Sequence, residues 1–308
     1  MKNILILLLL SLFIFSCEEE FVPDASAAID EIVVEGYIEA GENARPPYVI
    51  LTKALSFFAE ISQDAINDLY VHDAVVTVTN GTNETILTEI CLDNLTDEQK
   101  QLIIPFLGLD PDSLEVNICI YLDMTFQLQG QEGESYDLDI VVGDKHLTAT
   151  ARIPKRVGLD SLWFIEVPGQ PVDTLRNMRV IVSDPADEVN YYRYFGGIDD
   201  SPFQPGINSI YNDKIIDGTS FAFDLPNTIP VDTSRGGFRT FGTYKVGTTA
   251  KIKWCEIDEQ MFNFWSSLEL NKNNQGPFSN YTLVSTNISG GLGIWGGYMV
   301  SQYEIDVK

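Results

Sequence analysis

Apolar and polar positions alternate with a period of two along most of this chain, the repeat of half-buried β-strands rather than helices. Residues 32–38 (Ile32, Val33, Val34, Glu35, Gly36, Tyr37, Ile38), 48–52 and 74–79 are β-branched or aromatic runs, the last ending in an Asn80-Gly81 turn signal. The clearest unit is a hairpin over 136–153. Tyr136, Leu138, Ile140 and Val142 point one way, Leu147, Ala149, Ala151 and Ile153 match them on the return strand, and Gly143-Asp144 suits a two-residue turn. About seven such strands over residues 30–153 predict an Ig-like or transthyretin-like sandwich.

Pro154, Lys155, Arg156, Val157 and Gly158 break the alternation and mark a linker, 154–158. Beyond it strands are predicted at 161–167, 178–183, 191–195, 220–225, 238–245, 250–257 and 297–307, with long Gly, Pro and Asn loops between them. Two stretches have the helical period instead. Thr96-Asp97-Glu98-Gln99 is a capping-box start for a helix to about Phe106, with Leu102, Ile103 and Phe106 on one face, inside an insertion over 92–118. After the candidate N-cap Asp258, Met261, Trp265 and Leu268 recur at i, i+4 and i+7 in a helix over 259–270. Both stripes read as packing surface rather than cofactor boxes. The expected fold is mainly β, with two β-sandwich domains, 31–153 and 159–308, and two short helices.

The N-terminus follows another rule. Residues 4–15 are apolar except for Ser11 and follow Lys2; the run is too short for the roughly 20 residues of a membrane span but suits a signal-peptide core. Ser16 and Cys17 come next, and a cysteine directly after such a core looks like a bacterial lipobox, although Ile14 and Phe15 replace the more usual Leu and small residue. This predicts a signal peptide over 1–16 and a lipid on Cys17; an ordinary secretory signal with an incidental cysteine is the alternative. Glu18, Glu19 and Glu20 then open an aperiodic acidic tether over 17–30. An acidic triplet there resembles the surface-export signal of Bacteroidota lipoproteins, which implies the outer leaflet of the outer membrane; a merely solvated charge run is the other reading. Several acyl chains meet the two-signal requirement for stable anchoring.

Composition narrows the partners. With 308 residues, 44% of them hydrophobic, the chain can bury a core, which excludes collagenous and disordered classes. Nineteen Lys and Arg face 45 Asp and Glu, a formal charge of −26. Such a surface repels phosphate backbones, so no nucleic acid is expected as a partner.

Candidate chemistry is sparse. Once Cys17 carries lipid, Cys91 and Cys119 bracket the insertion and are the expected disulfide in an oxidising compartment, worth roughly 3 kcal/mol in loop closure. Cys255 is left over; its alternation with Lys251 and Lys253 predicts a thiol facing away from the core beside positive charge, with a lowered pKa. A catalytic thiol would also need a histidine, so an inert, partly buried cysteine is the reading preferred over that one. His72 and His146 are the only histidines, and no His-x-x-x-His, Cys-x-x-Cys or Gly-x-Ser-x-Gly pattern exists, so neither a metal nor a cofactor is expected. A glycosidase-type carboxylate pair stays open, because its members can come from distant strands. Gly291, Gly293 and Gly296 formally spell Gly-x-Gly-x-x-Gly, but without a βαβ context they read as sites of close backbone approach beside Trp295. Asp199-Asp200, Asn212-Asp213 and Asp217-Gly218 read as turns rather than calcium ligands. Aromatics exceed what one sandwich core needs: Tyr191, Tyr192, Phe203, Tyr211, Phe278, Tyr281 and Trp295 are candidate binding aromatics, with ordinary core packing as the alternative.

Several segments carry a family resemblance by their order: the lipidated cysteine with its acids, Val33-Val34-Glu35-Gly36-Tyr37-Ile38, Asp160-Ser161-Leu162-Trp163, Asn190-Tyr191-Tyr192-Arg193, the Ile257-Asp258 helix start with Phe264-Trp265-Ser266-Ser267-Leu268, and the stretch Asn287 to Gly296. Together they resemble the Bacteroidota lipoproteins classed as domain of unknown function 4249. The resemblance implies a cell-envelope lipoprotein, often encoded beside TonB-dependent outer-membrane receptors, with no catalytic residues to carry over. The expected function is that of a non-enzymatic surface lipoprotein in the outer membrane, either ligand-binding or accessory to a TonB-dependent receptor. A surface hydrolase using carboxylates and a structural or adhesive module are the alternatives.

Overall fold

A computed structural model describes residues 31–55, 68–106, 117–169, 173–216, 218–229, 241–273 and 283–308. Cys17, Glu18, Glu19, Glu20, Phe278 and Tyr281 lie outside them, as do Asp217 and the start of the strand expected at 238–245.

The chain is mainly β. Its N-terminal part holds β1 (Ile32–Gly41), β2 (Tyr48–Lys53), β3 (Val75–Thr79), β4 (Glu84–Cys91), β5 (Cys119–Leu122), β6 (Ser135–Val142) and β7 (Lys145–Arg152), with helix α1 (Asp97–Phe106) between β4 and β5. After the linker come β8 (Ser161–Glu166), β9 (Leu175–Ser183), β10 (Tyr191–Ile198), β11 (Gln204–Asn212), β12 (Ser220–Asp224), β13 (Tyr244–Lys245), β14 (Thr249–Ile257), helix α2 (Glu259–Asn273) and β15 (Leu292–Asp306). One sheet runs β11-β10-β14-β15-β1-β2-β5-β4-β3-β6-β7; β9 pairs with β8, β12 and β13 in a smaller one.

The first and last strands meet. β15 lies parallel to β1, from Val33 opposite Leu292 to Gly41 opposite Val300, and antiparallel to β14 along its other edge. At fifteen residues it starts well before the 297–307 run expected from the pattern. The glycines that dilute its pattern are what its neighbours require. A Cβ on Gly293, whose φ is +106°, would sit 1.9 Å from the Val34 carbonyl oxygen, and one on Gly296 would sit 2.4 Å from the Met261 sulfur.

Among the described residues, three cores follow from alternation along these strands. The first lies between β1, β2 and β15 on one side and β3, β6 and β7 on the other; Val34, Ile38, Val76, Leu138, Ile140, Leu147, Trp295 and Met299 fill it. In the hairpin, Ile140 faces Leu147 and Leu138 faces Ala149, around a turn in which Gly143 takes a φ of +59°. The second core packs Tyr192, Tyr194, Ile252 and Trp254 of the long sheet against Met178, Val180 and Val182 of the small one. The third lies on the opposite face of β1, β14 and β15, where Tyr37, Cys255, Ile294, Tyr298 and Val300 meet Met261 of α2, with Trp265 half-buried against them. β15 therefore serves all three: Trp295 and Met299 the first, Tyr303 and Ile305 the second, Ile294 and Tyr298 the third. At residues 154–158 the chain passes from the strands of the first core to those of the second, but residues 288–299 return to the first core. That linker is itself docked: Val157 is buried, and its carbonyl accepts from Trp254 Nε1 at 3.2 Å.

Both helix starts form as the sequence dictates. The Thr96 hydroxyl accepts from the Gln99 N–H at 3.3 Å while the Gln99 side chain accepts from the Thr96 N–H at 2.9 Å, a reciprocal capping box. Asp258 Oδ1 accepts from the Met261 N–H at 2.8 Å.

Candidate functional site

Of the aromatics singled out in the sequence, those among the described residues are packed in different parts of the fold. Trp295 is wholly buried, and its indole N–H donates to the Tyr136 carbonyl at 2.9 Å. Tyr192 stacks on Trp254 at 4.9 Å, and half-buried Tyr211 packs against Trp254, Tyr194 and Phe223. Tyr191 belongs to the third core, where its hydroxyl donates to Glu259 Oε1. Phe203 is half-buried, with Lys251 Nζ 5.6 Å from its ring centre. As a shared binding patch, Tyr191, Tyr192, Tyr211 and Trp295 are thus corrected: the aromatics exceed the needs of one core because the chain builds three.

What the third core does gather is a buried ionic cluster. Glu39 of β1 is 1% exposed, and its Oε1 accepts from Lys253 Nζ at 2.7 Å and from the Arg45 guanidinium at 2.5 and 3.0 Å, while Oε2 accepts from the Arg45 N–H. Lys253 reaches Glu39 from β14 across the intervening β15. Burial alone would raise the Glu39 pKa; the charges of Lys253 and Arg45 overcome it and hold the carboxyl at about 2. Beside this clamp, Arg193 of β10 is also buried, its guanidinium 3.4 Å from the centre of the Trp265 ring and 4.7 Å from that of Phe195. It donates to the Tyr298 hydroxyl at 2.7 Å and to Ser209 Oγ at 3.4 Å, and Ser209 in turn donates to Glu269 of α2. The sequence named Lys253, Arg193 and Trp265 in other connections, but not as members of one cluster, and did not name Glu39, Arg45, Ser209, Glu269 or Tyr298. Glu39 has no signal of its own, since β1 also carries the exposed Glu35; Lys253 found its partner only through the β1–β15 pairing, and Arg193 through the packing of β10, β11, β15 and α2.

For Cys255 the inert reading holds and the outward-facing one does not. It is buried opposite Arg193 rather than facing outward. Burial pushes its thiol up to about 12, against the smaller pull of Lys253 and Arg193, which favours the protonated form at neutral pH. Glu256, the next residue, is likewise 1% exposed with neither carboxylate oxygen in a well-formed hydrogen bond. Burial raises it to about 8; the Val157 N–H and Arg156 offset only part of this. A perturbed carboxylate can mark an acid catalyst, but this one is sealed beneath the linker. Of the residues read as turns, Asp199 Oδ1 accepts from the Thr249 N–H, Asn212 Oδ1 from the Lys214 N–H, and buried Asp213 accepts from the Asn190 N–H through Oδ2.

At the root of the insertion Cys91 and Cys119, register partners on β4 and β5, form the disulfide expected from their positions. His72 Nδ1 and Glu89 Oε1 stand beside it in a short hydrogen-bonding contact, and Glu89 Oε1 lies 3.8 Å from Cys91 Sγ. His146 pairs instead with Asp139 on the exposed face of the hairpin.

No curated protein and no solved structure matches the chain. The model of the domain of unknown function DUF4249 matches residues 18–304, almost the whole chain and all three cores. The ordered segments noted in the sequence now have structural reasons: Val34 and Tyr37 in β1, Tyr191 and Arg193 in β10, Trp265 in α2 and Trp295 in β15 line the faces of one sheet. The chain is a member of the DUF4249 family.

Proposed function

We propose that this protein is a lipid-anchored lipoprotein on the outer face of the outer membrane that works by binding, as a ligand-binding or accessory component of a TonB-dependent receptor system. The observation that carries the reading is Cys17, placed where the apolar signal core ends and followed by Glu18, Glu19 and Glu20. The interior supports a binding rather than a catalytic role. The Glu39 carboxylate is taken up by Lys253 and Arg45, Cys255 is sealed in a core, and Glu256 lies under the linker; none of these groups is presented to a substrate. Large apolar side chains do remain on the surface, among them Phe126, Phe221 and Phe241 at 57%, 44% and 56% exposure. Exposed aromatics of this kind anchor contacts between proteins. A tether of about a dozen residues keeps the body near the bilayer, so even a weak contact with a membrane partner is occupied through effective concentration.

The test is photo-crosslinking in intact cells from a benzophenone amino acid placed singly at Phe126, Phe221 and Phe241. The expected outcome is a crosslink to an outer-membrane β-barrel receptor from at least one position. Three silent positions in correctly localised protein would contradict the receptor-accessory reading.

A further inference from the structure

The corner formed by β4, β5 and the residues leading into β3 brings together four side chains that the binding role does not use. His72, Glu89, Cys91 and Cys119 each offer one ligand atom, and these atoms all lie within 4.8 Å of one another. Glu89 and Cys91 are two apart on β4 and so share a face, while Cys119 is the cross-strand partner of Cys91. Asp73, with a φ of +58°, turns the chain so that its own N–H donates to Glu89 Oε2 at 3.1 Å. That bond fixes the carboxylate and leaves Oε1 directed at His72 and the sulfurs. A disulfide that only staples a loop needs neither the imidazole nor the carboxylate.

We propose that this corner is a redox-gated zinc site. In the oxidised chain the sulfurs are bonded to each other and bind no metal. An external dithiol reduces the bridge by exchange: its two thiols become a disulfide, and Cys91 and Cys119 become thiols. A Zn²⁺ ion then binds both sulfurs as thiolates, releasing two protons to solvent. The imidazole nitrogen of His72 and one oxygen of Glu89 complete four ligands of the types tetrahedral zinc takes, at about 2.3 Å for sulfur and about 2.0–2.2 Å for nitrogen and oxygen. Those bond lengths place ligand atoms roughly 3.3–3.8 Å apart. Glu89 Oε1 already stands at that spacing from Cys91 Sγ, 3.8 Å; the His72 nitrogen and Glu89 Oε1 lie closer than this and separate as the ion enters between them, and the sulfurs move apart once their bond is broken. Soft thiolates favour zinc over magnesium or calcium, and a chain of formal charge −26 attracts the cation. The root of the insertion stays crosslinked in either state, by the disulfide or by the metal.

Cobalt(II) is the probe, because tetrahedral thiolate coordination gives intense visible d–d bands and sulfur-to-cobalt charge transfer. The full chain carrying Cys17→Ser, in detergent, is titrated with Co²⁺ oxidised and again after reduction without oxygen; Zn²⁺ is then added to displace the cobalt. The expected result is one Co²⁺ per reduced chain with thiolate bands, bands that Zn²⁺ abolishes, and none for the oxidised chain. His72→Ala and Glu89→Gln each weaken binding roughly tenfold or more, whereas Cys255→Ser leaves the bands unchanged. Circular dichroism of the same samples reports the fold. The proposal is overturned if the reduced chain shows no thiolate bands, if His72→Ala and Glu89→Gln bind as tightly as the parent, or if reduction unfolds the chain and metal does not restore it.

Discussion

Replacing Glu256 by Gln should stabilise the protein, and increasingly so as pH rises. Glu256 sits on β14 between Tyr192 and Met299 on the neighbouring strands, 1% exposed, with both oxygens lacking a well-formed hydrogen bond. Burial lifts its pKa from 4.5 to about 8. Between those values the folded chain keeps a proton that the unfolded chain has released, so stability is greatest below pH 4.5 and falls as pH rises through 8. At about 1.4 kcal/mol per pKa unit, the loss is about 3 kcal/mol at pH 7 and reaches a ceiling of about 5 kcal/mol above pH 8. Gln keeps the shape of the protonated acid and removes the ionisation. Urea unfolding of the parent and of Glu256→Gln from pH 5 to pH 9 reads the difference directly. The two should agree within about 1 kcal/mol at pH 5, with the variant pulling ahead by about 3 kcal/mol at pH 7. Parallel stability profiles across that range would refute the argument, because they would mean that Glu256 ionises as easily in the fold as out of it.

The Glu39 clamp has the opposite pH signature. Its contribution is fully present above pH 4.5 and lost as pH falls through about 2; Glu39→Gln should cost about 3–5 kcal/mol at neutral pH by stranding Lys253, and adding Lys253→Met should recover part of that in a double-mutant cycle. Gly293→Ala should destabilise by several kcal/mol, because its Cβ collides with the Val34 carbonyl, whereas Gly81→Ala, at a φ of +82° with no atom within 4 Å, should cost only about 1 kcal/mol; thermal unfolding compares the two. Replacing Cys91 and Cys119 together by Ser should lower stability by about 3 kcal/mol in non-reducing buffer, read by urea unfolding.

The sequence made the local architecture legible and the long-range pairing obscure. The 136–153 hairpin, both helix starts and the Cys91–Cys119 bridge could be read because each rests on residues a few positions apart or on a pair of matching chemistry. β11 escaped notice because Pro205 and Gly206 break its pattern, which only an outermost strand tolerates. β4 was hidden by Ile86, an apolar side chain that faces solvent while Thr85 faces inward. The parallel pairing of β1 with β15 has no local signature, and with it went the third core, the reach of Lys253 to Glu39 and the true position of Cys255. His72 was invisible as a neighbour of the bridge for the same reason: it lies 17 residues from Glu89, outside any metal-binding motif.

The account stands or falls on where Cys17 puts the protein. The direct measurement is labelling of cells with a radioactive fatty acid, followed by protease treatment of intact cells, for the parent chain, Cys17→Ala and a variant with Glu18, Glu19 and Glu20 all changed to Ala. The parent should be labelled and cut from outside. Cys17→Ala should lose both the label and membrane association, and the triple variant should keep the label but be shielded from protease. Label persisting on Cys17→Ala, or a parent chain that external protease never reaches, would contradict the assignment of this protein as a surface lipoprotein.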